Sequence, residues 1–326
     1  MKQIQNDLRL ILFFTILIFT GCTSIHSKST SKETTLTIVN WNLQCFFDAE
    51  TCGYEYSQFI KNKNWNKNAY ETRLKRLCDA IKSINADIFV FEEIENQEIL
   101  QDISNYLQGF SWNQKNSWKY GVFSKNHGSA IGSAVISKYP ITESTVHNLY
   151  IITEKTNQPS MRPIIKIKIE TDGDGEKLTL LVNHWKSKSG GEKSSENWRT
   201  YQEKLLASII SGSQSEKERF IACGDFNKNL NEFYIEGKNV LLGEKNIPVR
   251  SAWLDDNGTE CENGSYFFKN RFEKIDHFFL SENVTLLQFE PLKGPWCTEN
   301  GIPIRYEIFN GTGWSDHLPI FCKVKL

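Results

Sequence analysis

Phe220-Ile221-Ala222-Cys223-Gly224-Asp225-Phe226-Asn227 is an apolar run that ends abruptly on a carboxylate and an amide. Residues 220–223 suit a buried strand, and core packing does not require the polar ending. The same break recurs along the chain. Residues 36–41 (LTIVNW) end on Asn42, residues 87–91 (DIFVF) on Glu92 and Glu93, and residues 178–182 (LTLLV) on Asn183 and His184. A turn or a cap accounts for any one of these residues. Repeated as carboxylate, amide and imidazole, they point to strands whose ends line up along one sheet edge and gather a polar site on an apolar scaffold.

Further strand patterns fall at 131–137, 163–169, 275–280 and 318–324. Tyr70, Leu74, Leu77, Ile81 and Ile84 recur at helical spacing, and residues 198–210 form a second amphipathic stretch. Strands alternating with helices make this an α/β chain. No internal repeat and no long linker follows residue 35. With 326 residues, 39% of them hydrophobic and 13% aromatic, there is material for a large core. The formal net charge of -1 excludes a protein that holds nucleic acid by bulk electrostatics. Any polyanion must meet local cations. Lys61, Lys63 and Lys67 read as a solvated surface, whereas Lys186, Lys188 and Lys193 follow the candidate residue His184.

Hydrolysis of a phosphodiester needs an ion against the phosphate charge, an activated water and a stabilised leaving oxygen. Glu93 and Asn42 offer the hard oxygens that suit Mg²⁺, Mn²⁺ or Ca²⁺. Trp314-Ser315-Asp316-His317-Leu318-Pro319 offers a histidine that can take a proton from water, with the adjacent Asp316 able to orient it, and Ile275-Asp276-His277 offers a further carboxylate.

The motifs Asn40-Trp41-Asn42, Phe91-Glu92-Glu93-Ile94-Glu95-Asn96, Asn183-His184-Trp185-Lys186-Ser187-Lys188, Gly224-Asp225-Phe226-Asn227, Lys274-Ile275-Asp276-His277 and Ser315-Asp316-His317-Leu318-Pro319 stand in the order found in the endonuclease/exonuclease/phosphatase family. From about residue 36 to the end the chain resembles that family, which includes deoxyribonuclease I, abasic-site endonucleases, sphingomyelinases and inositol polyphosphate phosphatases. The resemblance implies a four-layer α/β sandwich: two packed mixed β-sheets flanked by helices. It implies Glu93 as the main metal ligand with Asn42 beside it, and Mg²⁺ as the ion, with Mn²⁺ or Ca²⁺ as substitutes. His317 becomes the general base or a phosphate contact, oriented by Asp276. Asp225 and Asn227 position water and phosphate. Asp316 assists the metal or His317, and His184 donates to phosphate or to the leaving oxygen. Arg162 reads equally as a phosphate contact or a surface arginine, and Arg199 as half of a structural ion pair. Glu92 stands where the family more often has Gln and is not expected on the metal. Glu95 and Asn96 read as helix caps, His277 as packing, and Trp185 as either a stacking platform or a core lid.

The loop NHWKSKSGGE with Arg199 and Gln202 resembles the corresponding segment of exported bacterial nucleases, and Lys186 and Lys188 suit a polyanion backbone. Nucleic acid is therefore the expected substrate. A sphingomyelinase-type phospholipid phosphodiesterase or an inositol-phosphate phosphatase is the alternative, and a non-catalytic surface-binding lipoprotein the third reading. No protein partner is expected, and the chain reads as a monomer.

Residues 10–20 (LILFFTILIFT) are apolar but shorter than the ~20 residues a spanning helix needs. They run into Gly21-Cys22, which resembles a bacterial lipobox with Phe19 in place of the usual Leu. On this reading residues 1–22 are a lipoprotein signal ending at the lipidated Cys22, 23–35 a flexible tether, and 36–326 the domain. The protein is expected to be exported and anchored in the cell envelope; Thr23 rather than Asp after Cys22 favours the outer membrane by analogy with lipoprotein sorting. Of eight cysteines, lipidation of Cys22 leaves an odd number, so complete pairing within the chain is ruled out. Cys78, Cys223 and Cys322 lie in core patterns. Cys45 with Cys52, and Cys261 with Cys297, lie in loops where export permits a disulfide.

Overall fold

Successive side chains of a strand point to opposite faces, and here both faces of the inner strands are covered. In residues 36–41, Leu36 and Ile38 turn into the space between two sheets, while Val39 and Trp41 turn outward beneath helices. The structure is a computed structural model that describes residues 34–108, 117–151, 158–171 and 177–326. The expected signal segment with Cys22, and residues 23–33 of the expected tether, lie outside the described residues. Thr34 is already buried and Thr35 pairs with Lys325, so Thr35, the last residue assigned to the tether, belongs to the sheet.

The first half of the chain runs β1 (Thr35–Phe46), α1 (Ser57–Ile60), α2 (Lys67–Ile84), β2 (Ile88–Ile94), α3 (Gln97–Gln108), β3 (Tyr120–Ser124), β4 (Gly132–Ser137), β5 (Ile141–His147), β6 (Ile164–Glu170) and β7 (Lys177–His184). The second half runs α4 (Glu192–Ser215), β8 (Phe220–Asp225), β9 (Tyr234–Glu236), β10 (Asn239–Leu242), β11 (Ile247–Ser251), β12 (Tyr266–Phe268), β13 (Arg271–Glu273), β14 (Asp276–Leu280), β15 (Thr285–Pro291) and β16 (Ile320–Lys325). A six-stranded mixed sheet has the order β15-β16-β1-β2-β4-β3 and an eight-stranded one the order β5-β6-β7-β8-β14-β11-β10-β9; β12 and β13 form a separate hairpin. Helices α2 and α3 cover the outer face of the first sheet, with Tyr70, Leu74, Leu77, Ile81, Ile99 and Ile103 packed on Phe89 and Phe91. Leu206 and Ile210 of α4 pack in the core cluster of the second. This is the expected four-layer sandwich.

The topology explains the strand endings. β1 and β2 are parallel, as are β7 and β8, and ligand sites gather at the carboxyl ends of such strands. Antiparallel β14 starts level with that edge, Asp276 facing Asp225. Gly224 permits the close approach of β7 to β8: a Cβ there would lie 1.8 Å from the Asn183 carbonyl oxygen, at a φ of 140° that L-residues avoid.

Several expectations change. The described cysteines Cys45, Cys52, Cys78, Cys223, Cys261, Cys297 and Cys322 are all free, so the permitted loop disulfides do not form. The second helix is longer than 198–210, since the run 192–197 continues it toward the Gly190-Gly191 turn. Among the described residues no helix is long and apolar enough to cross a membrane.

Candidate active site

Two irregularities in β1 and β2 build one wall of the site. The register between them shifts from Asn42 opposite Glu92 to Phe46 opposite Ile94. Gln44, Cys45 and Glu93 all have positive φ, between 52° and 64°. A regular strand would send Glu92 and Glu93 to opposite faces. The bulge instead lets Glu93 meet the Asn42 amide at 3.3 Å, while Glu92, one residue earlier, accepts from Asn40 at 3.3 Å. Cys45 fixes the Glu93 carboxylate with its backbone N–H at 2.8 Å and its thiol at 3.1 Å. Arg73, from α2, holds the bulge from below. It donates to the carbonyls of Leu43, Gln44 and Cys45 at 2.6–3.0 Å, with its guanidinium centre 4.5 Å from the Phe46 ring and 3.6 Å from that of Tyr306.

The opposite wall comes from the second sheet. Asp225 accepts from the Asn227 backbone N–H at 2.8 Å, and from the Asn227 and Asn42 side-chain amides at 3.0 Å each, so Asn42 joins the two walls. His317 Nδ1 lies 2.8 Å from Asp276 Oδ2, and Ser265 donates its hydroxyl to the same oxygen. Ser315 bridges the parts, giving its hydroxyl proton to the Asn42 carbonyl at 2.5 Å and accepting from the His317 N–H at 3.1 Å. Asp225, Asp276 and His317 present ligand atoms all within 4.8 Å of one another.

His184 takes its place between the walls, its Nε2 3.8 Å from Asp225 and 3.9 Å from Glu93. The Arg162 guanidinium lies against its ring edge, Nη2 at 2.8 Å from Nε2 and Nε at 3.3 Å from Nδ1. The structure thus places Arg162, half-buried, beside His184.

Burial and charge set opposite states for the two histidines. Burial, with Arg162, His317 and Lys186 adding, holds His184 well below the ordinary imidazole value, so it is neutral. Burial pushes His317 the same way but is outweighed by Asp276, Asp225 and Asp316, and its pKa stands well above the ordinary value. Burial, then Asp276 and Glu93 against the opposing His317, raises Asp225 to about 7. Burial chiefly raises Asp316 as well, and the Arg305 guanidinium lies 3.6 Å from its carboxylate. Glu92 is raised well above the carboxylate range by burial and by Asp276 and Asp225, so it is a neutral acid behind the site.

Other expectations resolve from contacts. Trp185 is fully buried against Phe226, a core residue and not a platform. His277 packs as expected, between Phe226 and Phe233. Asn96 caps α3 through Ile99, but Glu95 does not; it accepts from the Asp48 N–H at 2.9 Å. Arg199 makes no ion pair among the described residues. It is buried and donates to the Lys186 and Glu192 carbonyls and the Ser195 hydroxyl, which fixes the loop after His184. Lys186 lies close enough to depress His184, whereas Lys188 is engaged by Glu192 at 3.1 Å and Glu232 at 2.5 Å and is not directed at the site. Nothing in the local sequence marks Ser265 or Arg73, while Ser315 stood in a quoted motif without a role and Cys45 among the loop cysteines.

Oxygen donors crowded beside a neutral and a charged imidazole are the equipment of a metal-assisted phosphoester hydrolase, and the model of the Endonuclease/Exonuclease/phosphatase family matches residues 37–293. The chain belongs to that family. Its enzymes hydrolyse phosphoesters with divalent metal ions. Solved structures share the fold at low identity. TDP2 from Caenorhabditis elegans matches with a TM-score of 0.58 and 14% identity over 90% of this chain and 75% of its own. A family protein from Bacteroides thetaiotaomicron gives 0.57 and 15%, over 90% and 99%. The human Nocturnin catalytic domain, with bound sulfate, gives 0.53 and 17%, over 90% and 97%. None of the curated proteins matches the sequence.

Proposed function

We propose that this protein is an exported nuclease, a metal-dependent phosphodiesterase that cleaves DNA or RNA by direct attack of water and works as a monomer. The observation that carries the reading is the pairing of the Asp225–Asp276–His317 cluster with Glu93 and Asn42 across a gap that also holds neutral His184 and cationic Arg162. The donor set fits a hard divalent cation. Asp276 Oδ1 is buried without a hydrogen-bond partner, and burial, with the Asp276 and Glu93 carboxylates adding to it, raises Asp225 to about 7. Glu93, with Asn42 and Asp316 nearby, would hold the ion, Mg²⁺ by preference and Mn²⁺ or Ca²⁺ in its place. When bound, the ion neutralises phosphate charge.

The remaining work falls to the chain's own groups. His317, its Nδ1 committed to Asp276, keeps Nε2 for the water or a phosphate oxygen. Asp225 and Asn227 orient the water. Arg162 and Lys186 take phosphate oxygens, and His184 serves the phosphate or the leaving oxygen. The structure of D. rerio TDP2 holds a single-strand DNA product, at 16% identity and a TM-score of 0.55, and supports a nucleic-acid substrate by analogy of fold. The polar segment 253–268 disfavours a bilayer-inserting sphingomyelinase, and a binding-only lipoprotein would have no use for the full catalytic set. We assign export and anchoring to residues 1–22 and lipidation to Cys22, on the apolar run and Gly21-Cys22.

The test is nicking of supercoiled plasmid by the full-length chain in detergent, with Mg²⁺ or with chelator, beside His317→Ala. Nicking should require the ion and vanish in the variant. Absence of cleavage of both plasmid and RNA by folded protein, with Mg²⁺, Mn²⁺ and Ca²⁺ each tried, overturns the nuclease reading.

A further inference from the structure

The β12–β13 hairpin is fixed to the catalytic pair at its base. Ser265 donates to Asp276, the Leu318 N–H donates to the Ser265 carbonyl at 2.7 Å, and Tyr266 forms a β-bridge with His317. Its turn is Lys269-Asn270, with φ of 47° and 63°, the two positive values a tight two-residue hairpin demands. Tyr266 and Phe268 lie two residues apart and so share a face. The Tyr266 ring lies 4.7 Å from the His317 imidazole, and the Phe268 ring lies 6.1 Å beyond it, tilted by only 20°. Phe268 is 44% exposed. A ladder of rings therefore leads from the reacting histidine to solvent.

A cation, Arg305, lies close enough to Tyr266 to act on its hydroxyl electrostatically. The Arg305 side chain is 60% exposed, and one edge of its guanidinium reaches Asp316, the residue before His317. Its backbone is pinned: the Trp314 N–H donates to the Ile304 carbonyl at 2.7 Å, and a Cβ at Gly313 would strike the Arg305 carbonyl at 1.7 Å.

We propose that Tyr266, Phe268 and Arg305 form a nucleotide subsite beside His317, which takes an unpaired base on the aromatic face and a neighbouring phosphate on the guanidinium, so that single-stranded nucleic acid is the substrate class. This rests on the phosphodiesterase reading of the site. An aromatic face next to a cation matches a base and its phosphate. A base inside a duplex has both faces covered and cannot use the ladder. An inositol ring has no π-face to stack, whereas a phosphocholine head group would compete for the same rings and cation and is separated by the sphingomyelin arm of the test.

The probe is a single-stranded oligonucleotide carrying 2-aminopurine beside a hydrolysis-resistant phosphorothioate, titrated into the full-length protein with Mg²⁺. Binding should quench the fluorescence. Phe268→Ala should abolish the quench and weaken binding about tenfold. Phe268→Tyr should restore both, and Arg305→Gln should weaken binding while leaving the quench. Mg²⁺ binding by calorimetry, equal in Phe268→Ala and wild type, verifies an intact centre, and bis-p-nitrophenyl phosphate serves as a small diester substrate for the wild-type protein. If wild-type protein cleaves oligonucleotides and Phe268→Ala binds and quenches like it, or if duplex is preferred over single strand, the subsite falls and the nuclease stands. If only the small diester or sphingomyelin vesicles are hydrolysed, the nuclease reading falls and the subsite with it.

Discussion

His317 shows how one contact sets the chemistry of a residue. Burial alone would leave it neutral, yet Asp276 at 2.8 Å, helped by Asp225 and Asp316, holds it as imidazolium. A raised folded pKa stabilises the ion-free fold fully below the ordinary imidazole range near 6.5, and that contribution disappears as pH rises through the folded value. Asp276→Asn should therefore bring the His317 titration down, observable by NMR of the ring nitrogens in ion-free protein. The same variant should lower kcat about 10²- to 10⁴-fold with little change in KM, because the ring loses its orientation rather than its phosphate contacts. Titration at the same pH in both proteins would show that Asp276 does not control the ring. This pair was legible through the order of the family motifs, which implied that Asp276 orients His317; each residue stands at the start of an apolar stretch. Ser265 and Ser315 were not: the Ser315–Asn42 bond spans 273 residues, and a serine in a polar loop carries no local mark of such a contact.

At the scale of the element, inner β10 and β11 were missed, and the strands legible in the sequence, β1, β2, β4, β6, β7, β8, β14 and β16, are the other inner members of the two sheets. They are apolar because both faces are covered. β3, β5, β9 and β15 lie at sheet edges and mix exposed polar residues with few buried ones, as in the exposed run of β5, so no clean period reached the sequence. The bulge that brings Glu93 into the site was equally hidden, because it depends on Arg73 in a helix that reads as ordinary and amphipathic. Arg73→Met keeps the bulk but removes the donors to three buried carbonyls. Leaving those acceptors unpaired should cost roughly 2–4 kcal/mol of stability. The bulge should also loosen, and Mg²⁺ should bind more weakly by calorimetry. Weakened stability with unchanged Mg²⁺ affinity would mean that the clamp serves the fold and not the Glu93 wall.

Over the whole molecule, a net charge of -1 means that affinity for a polyanion must come from a few placed cations. Arg162 and Lys186 border His184, and Arg305 borders Asp316. Three phosphate contacts on single-stranded nucleic acid give a slope of log affinity against log salt of about -2, a loss of roughly 20-fold between 50 and 200 mM. A basic nucleic-acid binder would be far steeper. Lys186→Gln should flatten the slope by about 0.7. Lys188→Gln should leave it unchanged, because Glu192 and Glu232 already neutralise that ammonium. The pair of variants separates placed charge from bulk charge, since both remove one lysine from the same loop and change the net charge equally. Equal effects on the slope would mean that the protein attracts its substrate through its overall field, and that the distinction the ion pairs draw between the two lysines does not survive in solution.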